Sequence, residues 1–304
     1  MSKIAFVFAG QGAQTVGMAQ DLYEQYTGVK DLFDMSDEIR DLCFNGPKEK
    51  LDITINTQPS VFLADLACAA VLSGRGIKVA GVAGFSLGEI AAACYAGLFN
   101  PKQAFDFVCH RAKVMHECAL AEKGTMLAVL KLSNEKVEEI CNSLPKTYPV
   151  NYNSPGQVVV ACADETAEQL QKAVSEHGGR AMPLSVSGAF HSPFMDAASI
   201  NVAEYLENEK LGYLQIPLYS NTTAQIYESA NMNPAELLAK QVNHPVLWQK
   251  TIENMIKDGF DTFIEVGPGK TLTGLIKKIN PDVRLLNVSD TSTLEKTVEE
   301  LNNA

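Results

Sequence analysis

The first half of the chain alternates short apolar runs with longer helical segments. The runs Ile4–Phe8 and Val79–Ala83 each lead into a glycine, which is typical of buried strands that end in tight turns. Four helical segments accompany them: Met18–Tyr26, Pro59–Leu72, Leu87–Ala96, and one that begins at Asn100-Pro101 with Asn as N-cap and Pro at the first helical position. Strands that alternate with helices predict a parallel sheet covered by helices.

The pattern changes between about residues 125 and 184. Six shorter elements are predicted there, in the order strand, helix, strand, strand, helix, strand: Thr125–Leu130, Glu135–Cys141, Val150–Asn153, Val158–Cys162, a helix capped by Asp164, and Arg180–Leu184. This order is the ferredoxin-like β-α-β-β-α-β pattern. The alternation of strands and helices seen in the first half resumes after His191 and includes a strand at Thr262–Val266. We therefore predict a small α+β domain at residues 122–189, inserted into a large α/β domain of residues 1–121 and 190–304.

Composition and charge exclude several function classes. The formal net charge of -11 argues against nucleic-acid binding, because phosphate neutralisation needs a basic surface. The seven cysteines occur singly, with no C-x-x-C pair, which indicates reduced thiols and a cytoplasmic protein. The first apolar run is too short for a signal peptide, and no apolar stretch approaches membrane-spanning length, so we expect no membrane partner.

Cofactor and metal motifs are incomplete. Gly10-x-Gly12 lacks the third glycine of a dinucleotide-binding loop, and Gly269-Lys270-Thr271 lacks the first glycine of a P-loop. No H-E-x-x-H or clustered Cys/His motif indicates a metal. We therefore expect neither a cofactor nor a metal.

The segment Gly84-Phe85-Ser86-Leu87-Gly88 fits the nucleophile-elbow pattern G-x-S-x-G. A predicted strand precedes it and a predicted helix follows, which favours a nucleophilic Ser86 over an idle serine in a glycine-rich turn. An oxyanion needs N–H donors, and the backbones of Leu87 and Gln11 are candidates because parallel strands end at one sheet edge. The motif makes the predicted large domain α/β-hydrolase-like.

A serine nucleophile requires a base, and two of the five histidines remain candidates. His110 and His116 lie on or beside the polar arc of a helix, and His177 lies at a helix end. His191 falls in the predicted join between the domains, where ligand sites are common. His244 precedes Pro245 and is the competing candidate. The residues alone leave both open.

Arg111 falls on the apolar arc of the helix that begins at Pro101. A guanidinium that faces the core needs an anion, because an unpaired buried charge costs several kcal/mol. The anion is either an internal carboxylate or the carboxylate of a substrate, which arginine binds in bidentate fashion.

Five separated motifs together resemble the malonyl-CoA:acyl carrier protein transacylase family over essentially the whole chain: Gly10–Gln14, Gly84–Glu89, Arg111, Ala189–Pro193 and Glu265–Gly269. The resemblance implies transfer of malonyl from malonyl-CoA to the phosphopantetheine thiol of acyl carrier protein in fatty acid biosynthesis. It also implies roles for six residues: Ser86 as nucleophile, His191 as base, Gln11 and Leu87 as the oxyanion hole, Arg111 as carboxylate ligand, and the Gln241 carbonyl as the group that orients His191.

Two departures from the family pattern bear on rate and acyl selectivity. Phe85 replaces the histidine usual before the nucleophile, and His244 stands where asparagine is common. The alternatives are a discrete acyltransferase of a polyketide synthase, an acyl hydrolase on the same serine, and a carrier-binding scaffold without catalysis. Because carrier proteins are acidic, a basic docking patch is expected, for which the sequence offers Lys270, Lys277 and Lys278.

Overall fold

The computed structural model describes residues 2–186 and 188–303, in two compact units. The first unit comprises residues 1–112, 211–220 and 255–304, and the second comprises residues 113–210 and 221–254. The chain is a mixed α/β structure with a parallel sheet in the first unit and a separate antiparallel sheet in the second.

The first unit contains a five-stranded sheet in the order β7-β2-β1-β8-β9, in which every neighbouring pair is parallel. Its strands are β1 (Ile4–Phe8), β2 (Gly81–Gly84), β7 (Leu218–Tyr219), β8 (Thr262–Val266) and β9 (Arg284–Val288). Every residue of β8, and all of β1 except Ile4, is buried, as expected for strands covered on both faces. The predicted parallel sheet, with strands at Ile4–Phe8 and Thr262–Val266, is confirmed.

The described residues of the first unit form eight helices: α1 (Gln20–Gln25), α2 (Thr27–Phe33), α3 (Asp37–Asn45), α4 (Lys48–Leu51), α5 (Thr54–Gly74), α6 (Leu87–Tyr95), α13 (Thr271–Ile279) and α14 (Thr291–Asn302). The helix predicted at Met18–Tyr26 is shorter, because Ala19 takes a positive φ of 58° and Tyr26 is extended before α2 begins.

Helix α5 begins five residues earlier than predicted, with Pro59 inside it. Proline cannot donate to the carbonyl of the fourth residue before it, and its ring crowds that carbonyl, but burial of most side chains of α5 outweighs these costs. With 21 residues, α5 also has the length and composition to cross a membrane, so the expectation that no apolar stretch approaches that length is wrong. Because 83% of its most apolar window is buried inside the protein, the composition of α5 reflects its place in the core.

The second unit contains a four-stranded antiparallel sheet in the order β4-β5-β3-β6. Its elements follow the predicted order: β3 (Thr125–Leu130), α8 (Asn134–Ser143), β4 (Thr147–Ser154), β5 (Gln157–Cys162), α9 (Ala167–Glu176) and β6 (Arg180–Pro183). Buried side chains of both helices pack with those of the strands in one apolar core, represented by Ile140, Val160 and Leu170. The predicted inserted domain, residues 122–189, lies within this unit, and its boundaries stay a prediction.

Two further helices belong to the second unit, α10 (Asp196–Glu207) and α11 (Pro234–Gln241). Helix α7 (Pro101–Ala121) and helix α12 (Trp248–Lys257) each contain one of the chain positions that divide the units. Helix α11 begins with Asn233, whose side chain accepts the N–H of Glu236, and with Pro234 at its first position. The helix therefore starts at a defined cap and ends at Gln241, a residue of the candidate site.

Candidate functional site

Ser86 occupies a strained turn between β2 and α6. Its backbone has φ 53° and ψ -106°, an uncommon combination for a residue other than glycine. The turn is tied to the neighbouring strand, because the Phe85 N–H donates to the Phe8 carbonyl at 3.0 Å. Strained backbone persists where surrounding structure enforces it, and it concentrates at functional positions.

Close backbone approach requires the two glycines of the serine turn. A Cβ at Gly84 would lie 1.9 Å from the carbonyl carbon of Gly88. A Cβ at Gly88 would lie 2.2 Å from the carbonyl oxygen of Phe8. Neither neighbour is a flexible side chain, so any larger residue would force the backbone to move. Both glycines of the G-x-S-x-G motif are therefore a steric requirement of this turn.

The loop that contains Gln11 lies at the same sheet edge as the serine turn. Phe8 of β1 pairs with Gly84 of β2, so the two strands end together. Gly10 packs on the turn, because a Cβ there would lie 2.5 Å from the Phe85 carbonyl oxygen. The expectation that these strand ends lie close together is therefore confirmed.

The structure gives each proposed oxyanion donor a defined setting. Leu87 is the first residue of α6, where a backbone N–H has no partner within its own helix. The side chain of Gln11 is directed to α5, where its amide Nε2 donates to Thr54 Oγ1 at 3.2 Å. The role of the two backbone N–H groups stays a prediction.

Arg111 is buried in the first unit beside the serine. Only 1% of its surface is exposed, which confirms that it lies on the buried face of α7. Its Nη2 donates to Ser86 Oγ at 3.3 Å, and its Nη1 donates to Gln58 Oε1 at 2.5 Å. Burial lowers the pKa of the guanidinium to about 10, although the nearby Glu89 carboxylate opposes that change. The side chain is therefore a cation at neutral pH, held in a setting that disfavours its charge.

Two buried residues near Arg111 had no predicted role. Gln58 lies inside α5, which is apolar around its whole circumference, so periodicity gives no sign of the face it occupies. Glu89 belongs to the serine motif and is fully buried in the first turn of α6. For both Gln58 and Glu89, the signal available in the sequence was a polar residue within an apolar helical segment. A buried polar group normally has a hydrogen-bond partner, so such a residue indicates a specific contact.

His191 is buried in the second unit and is oriented by the backbone. Its ring Nδ1 lies 2.8 Å from the Gln241 carbonyl oxygen, and the backbone N–H of His191 donates to the Val242 carbonyl at 3.2 Å. Gln241 is the last residue of α11, where carbonyls have no partner within the helix. The contact predicted between His191 and this carbonyl is present.

The contact with Gln241 determines which ring nitrogen can act as a base. A carbonyl oxygen only accepts hydrogen bonds, so Nδ1 of His191 carries the proton that is donated to Gln241. The neutral imidazole then has its lone pair on Nε2. We infer this tautomer from the hydrogen-bond partner.

The competing histidine has a different environment. His244 is exposed, and its Nδ1 lies 2.7 Å from the side-chain oxygen of the adjacent Asn243. His177, at the end of α9, is also exposed and contacts the Ala173 carbonyl. Of His177, His191 and His244, only His191 is both buried and in contact with a backbone carbonyl. Within residues 2–186 and 188–303, no group of three or more His, Cys, Asp or Glu residues is arranged to hold a metal ion.

Comparison with known proteins extends the similarity to nearly the full length. Residues 5–283 match the acyl transferase domain family. The malonyl CoA-acyl carrier protein transacylase of Bacillus subtilis is 36% identical, over 99% of this chain and 98% of its own. The enzyme of the same name from Haemophilus influenzae is 35% identical, over 98% of this chain and 99% of its own.

Solved structures agree with the sequence relatives. The malonyl CoA-acyl carrier protein transacylase of Clostridium perfringens superposes with a TM-score of 0.94 at 39% identity, covering 99% of this chain and 98% of that one. A malonyl-transacylase in complex with a type II polyketide acyl-carrier protein gives a TM-score of 0.92 at 35% identity, covering 98% of this chain and 100% of that one. This chain therefore belongs to the acyl transferase domain family, among its malonyl-CoA:acyl carrier protein transacylases.

Proposed function

We propose that this protein transfers the malonyl group of malonyl-CoA to the phosphopantetheine thiol of acyl carrier protein, through a malonyl ester on Ser86. The observation that carries the proposal is a buried guanidinium, Arg111 Nη2, placed 3.3 Å from the hydroxyl of a serine on a strained strand-to-helix turn. The serine supplies a nucleophile, and the guanidinium supplies the cation that an acyl group ending in a carboxylate requires.

In the first half of the reaction, Ser86 Oγ attacks the thioester carbonyl carbon while its proton passes to His191 Nε2. The oxyanion of the tetrahedral intermediate accepts hydrogen bonds from the backbone N–H groups of Gln11 and Leu87. Collapse of the intermediate breaks the carbon–sulfur bond, and the thiolate of coenzyme A takes the proton from His191. The malonyl ester on Ser86 remains.

In the second half, His191 Nε2 removes the proton of the phosphopantetheine thiol, and the sulfur attacks the ester carbonyl. The carbon–oxygen bond to Ser86 then breaks, and the serine oxygen regains the proton from His191. Throughout both halves the Gln241 carbonyl holds Nδ1–H, so that Nε2 stays available as base and then as acid. This carbonyl takes the place of the carboxylate found in many catalytic triads.

Mass spectrometry of the intact protein tests the proposal. After mixing with malonyl-CoA, we expect a malonyl adduct on Ser86 that disappears when carrier protein is added and reappears on the carrier. Ser86→Ala serves as the control and should gain no adduct. Free malonate released at the same rate with and without carrier would identify a hydrolase, and an unmodified wild-type chain would identify a non-catalytic scaffold.

Arg111→Ala tests the assignment of the carboxylate ligand. Loss of a charged hydrogen bond costs about 1.5–3 kcal/mol, which is about tenfold or more in rate. We expect this variant to transfer malonyl more slowly and acetyl relatively better, because acetyl has no carboxylate. Unchanged selectivity would leave Arg111 only a structural role.

A polyketide carrier is the second candidate acceptor, favoured by the solved complex of a similar malonyl-transacylase with such a protein. We propose that docking of either carrier uses exposed lysines of the α13 segment, Lys270, Lys277 and Lys278. Transfer rates to a fatty-acid carrier and a polyketide carrier, measured side by side, distinguish the two partners.

The finer description of the fold is also a proposal. The strand order β4-β5-β3-β6, with α8 and α9 as the two helices, supports a ferredoxin-like domain of residues 122–189. The parallel sheet with its serine turn supports an α/β-hydrolase-like domain of residues 1–121 and 190–304. Limited proteolysis tests these boundaries, which predict the first cuts near residues 122 and 189.

A cytoplasmic location is proposed from the cysteines. All seven are free and six are buried, and burial raises the pKa of several thiols, that of Cys43 to about 11. Unreactive reduced thiols are typical of the cytosol. Cell fractionation tests this location.

A further inference from the structure

The side chain of Phe85 packs on the loop that follows β1. Phe85 is the residue before Ser86 in the serine turn, and it is half-buried. A Cβ built on Gly10 would lie 3.1 Å from the ring carbon Cδ1 of Phe85 and 2.5 Å from the Phe85 carbonyl oxygen. The ring therefore lies on the side of Gly10 where any other residue would carry its own side chain.

This loop, residues 10–14, contains the proposed donor Gln11 and is called the oxyanion loop below. The side chain of Gln11 ties the loop to α5, because its Nε2 donates to Thr54 Oγ1 at 3.2 Å. Gly10 has no side chain that could tie the first residue of the loop, and glycine has the widest backbone freedom of all residues. The packing of Phe85 supplies a restraint at this residue.

The serine turn also holds the chain just before Gly10. The Phe85 N–H donates to the Phe8 carbonyl at 3.0 Å. A Cβ at Gly88 would lie 2.2 Å from the carbonyl oxygen of Phe8 and 2.5 Å from that of Ala9, so the two backbones are in close contact. The backbone of the turn therefore holds Phe8 and Ala9, and the Phe85 ring extends the contact by one residue.

We propose that Phe85 is a positioning residue for the oxyanion loop: its ring fixes Gly10 and thereby keeps the Gln11 N–H directed at the oxyanion that forms when Ser86 attacks. This inference rests on the proposed acyl transfer. Donors of an oxyanion hole act because they are held in advance at the position that the oxyanion takes. A loop that shifts would therefore lose transition-state stabilisation and keep substrate affinity. Because every acyl group forms the same oxyanion, the loss should be independent of the acyl group.

The experiment measures Ser86 acylation by stopped flow, with malonyl-CoA and with acetyl-CoA, and separates the saturating rate constant from the half-saturating concentration. We expect Phe85→Ala to lower the rate constant about tenfold to a hundredfold for both donors, as a misplacement of about 1 Å does, with little change in the half-saturating concentration. Phe85→His keeps a planar ring, neutral at about pH 8, and should stay within a few-fold of wild type. Phe44→Ala is the matched control, because it removes another half-buried phenylalanine of the first unit, packed on Tyr23 and Phe33. It should lower stability and leave the acylation rate unchanged.

Gln11→Pro, which removes the backbone N–H, shows whether Phe85 acts through this donor. Gln11→Ala is its reference, because alanine keeps the N–H and loses only the side chain. In the Gln11→Pro background, Phe85→Ala should cause almost no further loss of rate, whereas in the Gln11→Ala background the loss should persist. If Phe85→Ala does not fold, Phe85→Leu takes its place and should show the same pattern with a smaller loss.

Three results would overturn the proposal while wild-type Ser86 still forms its malonyl ester. They are an equal loss in the Gln11→Pro and Gln11→Ala backgrounds, a loss confined to malonyl-CoA, and a wild-type acylation rate in the folded Phe85 variant that lacks the ring. Absence of the malonyl ester on wild-type Ser86 would instead overturn the proposed function, and this inference with it.

Discussion

Asp65 allows a quantitative prediction about stability, because its carboxyl group is buried without a hydrogen-bond partner in the described part of the chain. It lies on α5 against Gly267, where an added Cβ would be 1.9 Å from Asp65 Oδ1. Burial, reinforced by the nearby Glu265 carboxylate, raises the pKa of Asp65 well above its ordinary value. The perturbation is Asp65→Asn, which keeps the shape and removes the titration.

The neighbouring charged groups determine which of the two carboxyls holds a proton. Glu265 accepts the N–H groups of Leu272 and Thr273 at 3.0 and 2.7 Å at the start of α13. These bonds oppose the effect of burial on the pKa of Glu265, although burial still raises it. Around the same part of α5 lies the buried Cys68, whose pKa is raised, with Asp21 and Asp290 as its other acidic neighbours. Glu265 therefore retains its charge better than Asp65, and Asp65 takes the proton.

The sign and size of the effect follow from linkage. At a pH between the ordinary and the raised pKa of Asp65, the native state binds this proton and the unfolded state does not, so stability falls as pH rises. The free energy of unfolding falls by about 1.4 kcal/mol per pH unit while the native state binds this proton and the unfolded state does not. Asp65→Asn has no such pH dependence at this position. Its free energy of unfolding, relative to that of wild type, should therefore increase by the same amount per pH unit. The increase ends where Asp65 ionises in the native protein.

Urea denaturation of wild type and Asp65→Asn at intervals between about pH 5 and about pH 7 provides the measurement. Asp52→Asn is the matched control: the Asp52 carboxylate is bound by Lys48 and Gln14, which lower its pKa. Because Asp52 is ionised in both states over this range, its stability difference should not vary with pH. A pH-independent difference for Asp65→Asn as well would refute the neutral carboxyl.

Three other changes test separate parts of the site. Gly88→Ala, whose Cβ would lie 2.2 Å from the Phe8 carbonyl oxygen, should reduce the rate of Ser86 acylation about a hundredfold. Gly274→Ala on α13 is the control, because its Cβ would meet no atom within 4 Å, and this variant should remain active. Gln241→Ala should retain activity within a few-fold, because His191 is bound by the backbone carbonyl, and a loss comparable to that of His191→Ala would contradict this. Replacing Lys270, Lys277 and Lys278 by Glu should raise the KM for carrier protein and leave acylation by malonyl-CoA unchanged in stopped-flow assays; equal effects on both steps would exclude a docking role.

The sequence predicted those parts of the site that local geometry dictates. The spacing of Gly84 and Gly88 around Ser86 indicated a turn, since only glycine allows backbones to approach as closely as they do here. The helical period placed Arg111 among apolar residues, and it is buried. His191 was different: the residues alone left His244 open, and only the resemblance to a family favoured His191. Its carbonyl partner, Gln241, is 50 residues away, a separation on which local patterns carry no information.

Helix α5 shows why other parts were not predictable. An amphipathic helix reveals its buried face by its period, but α5 is apolar on all sides and buried along most of its length. Its polar residues could face any neighbour, so neither the contact of Gln58 with Arg111 nor the packing of Asp65 against Gly267 follows from the pattern. Both depend on which elements lie beside α5, and tertiary packing alone determines that.

The buried charges of the first unit support one account of why Arg111 stays in the core. Among the described residues of this unit, the buried charged side chains are Asp65, Glu89, Arg111 and Glu265. Glu265 accepts a hydrogen bond from the start of α13 and Asp65 is neutral, so neither of these carboxyls requires Arg111 as its partner. Glu89 alone does not restore the ordinary pKa of the guanidinium. Removing the guanidinium alone would leave the buried Glu89 carboxylate without this cation, and loss of one member of a buried charge pair is destabilising. Arg111→Met should therefore be less stable than wild type and also deficient in malonyl transfer, because no cation is left for the carboxylate of the acyl group. A less stable variant with normal malonyl selectivity would show that the guanidinium serves the fold instead.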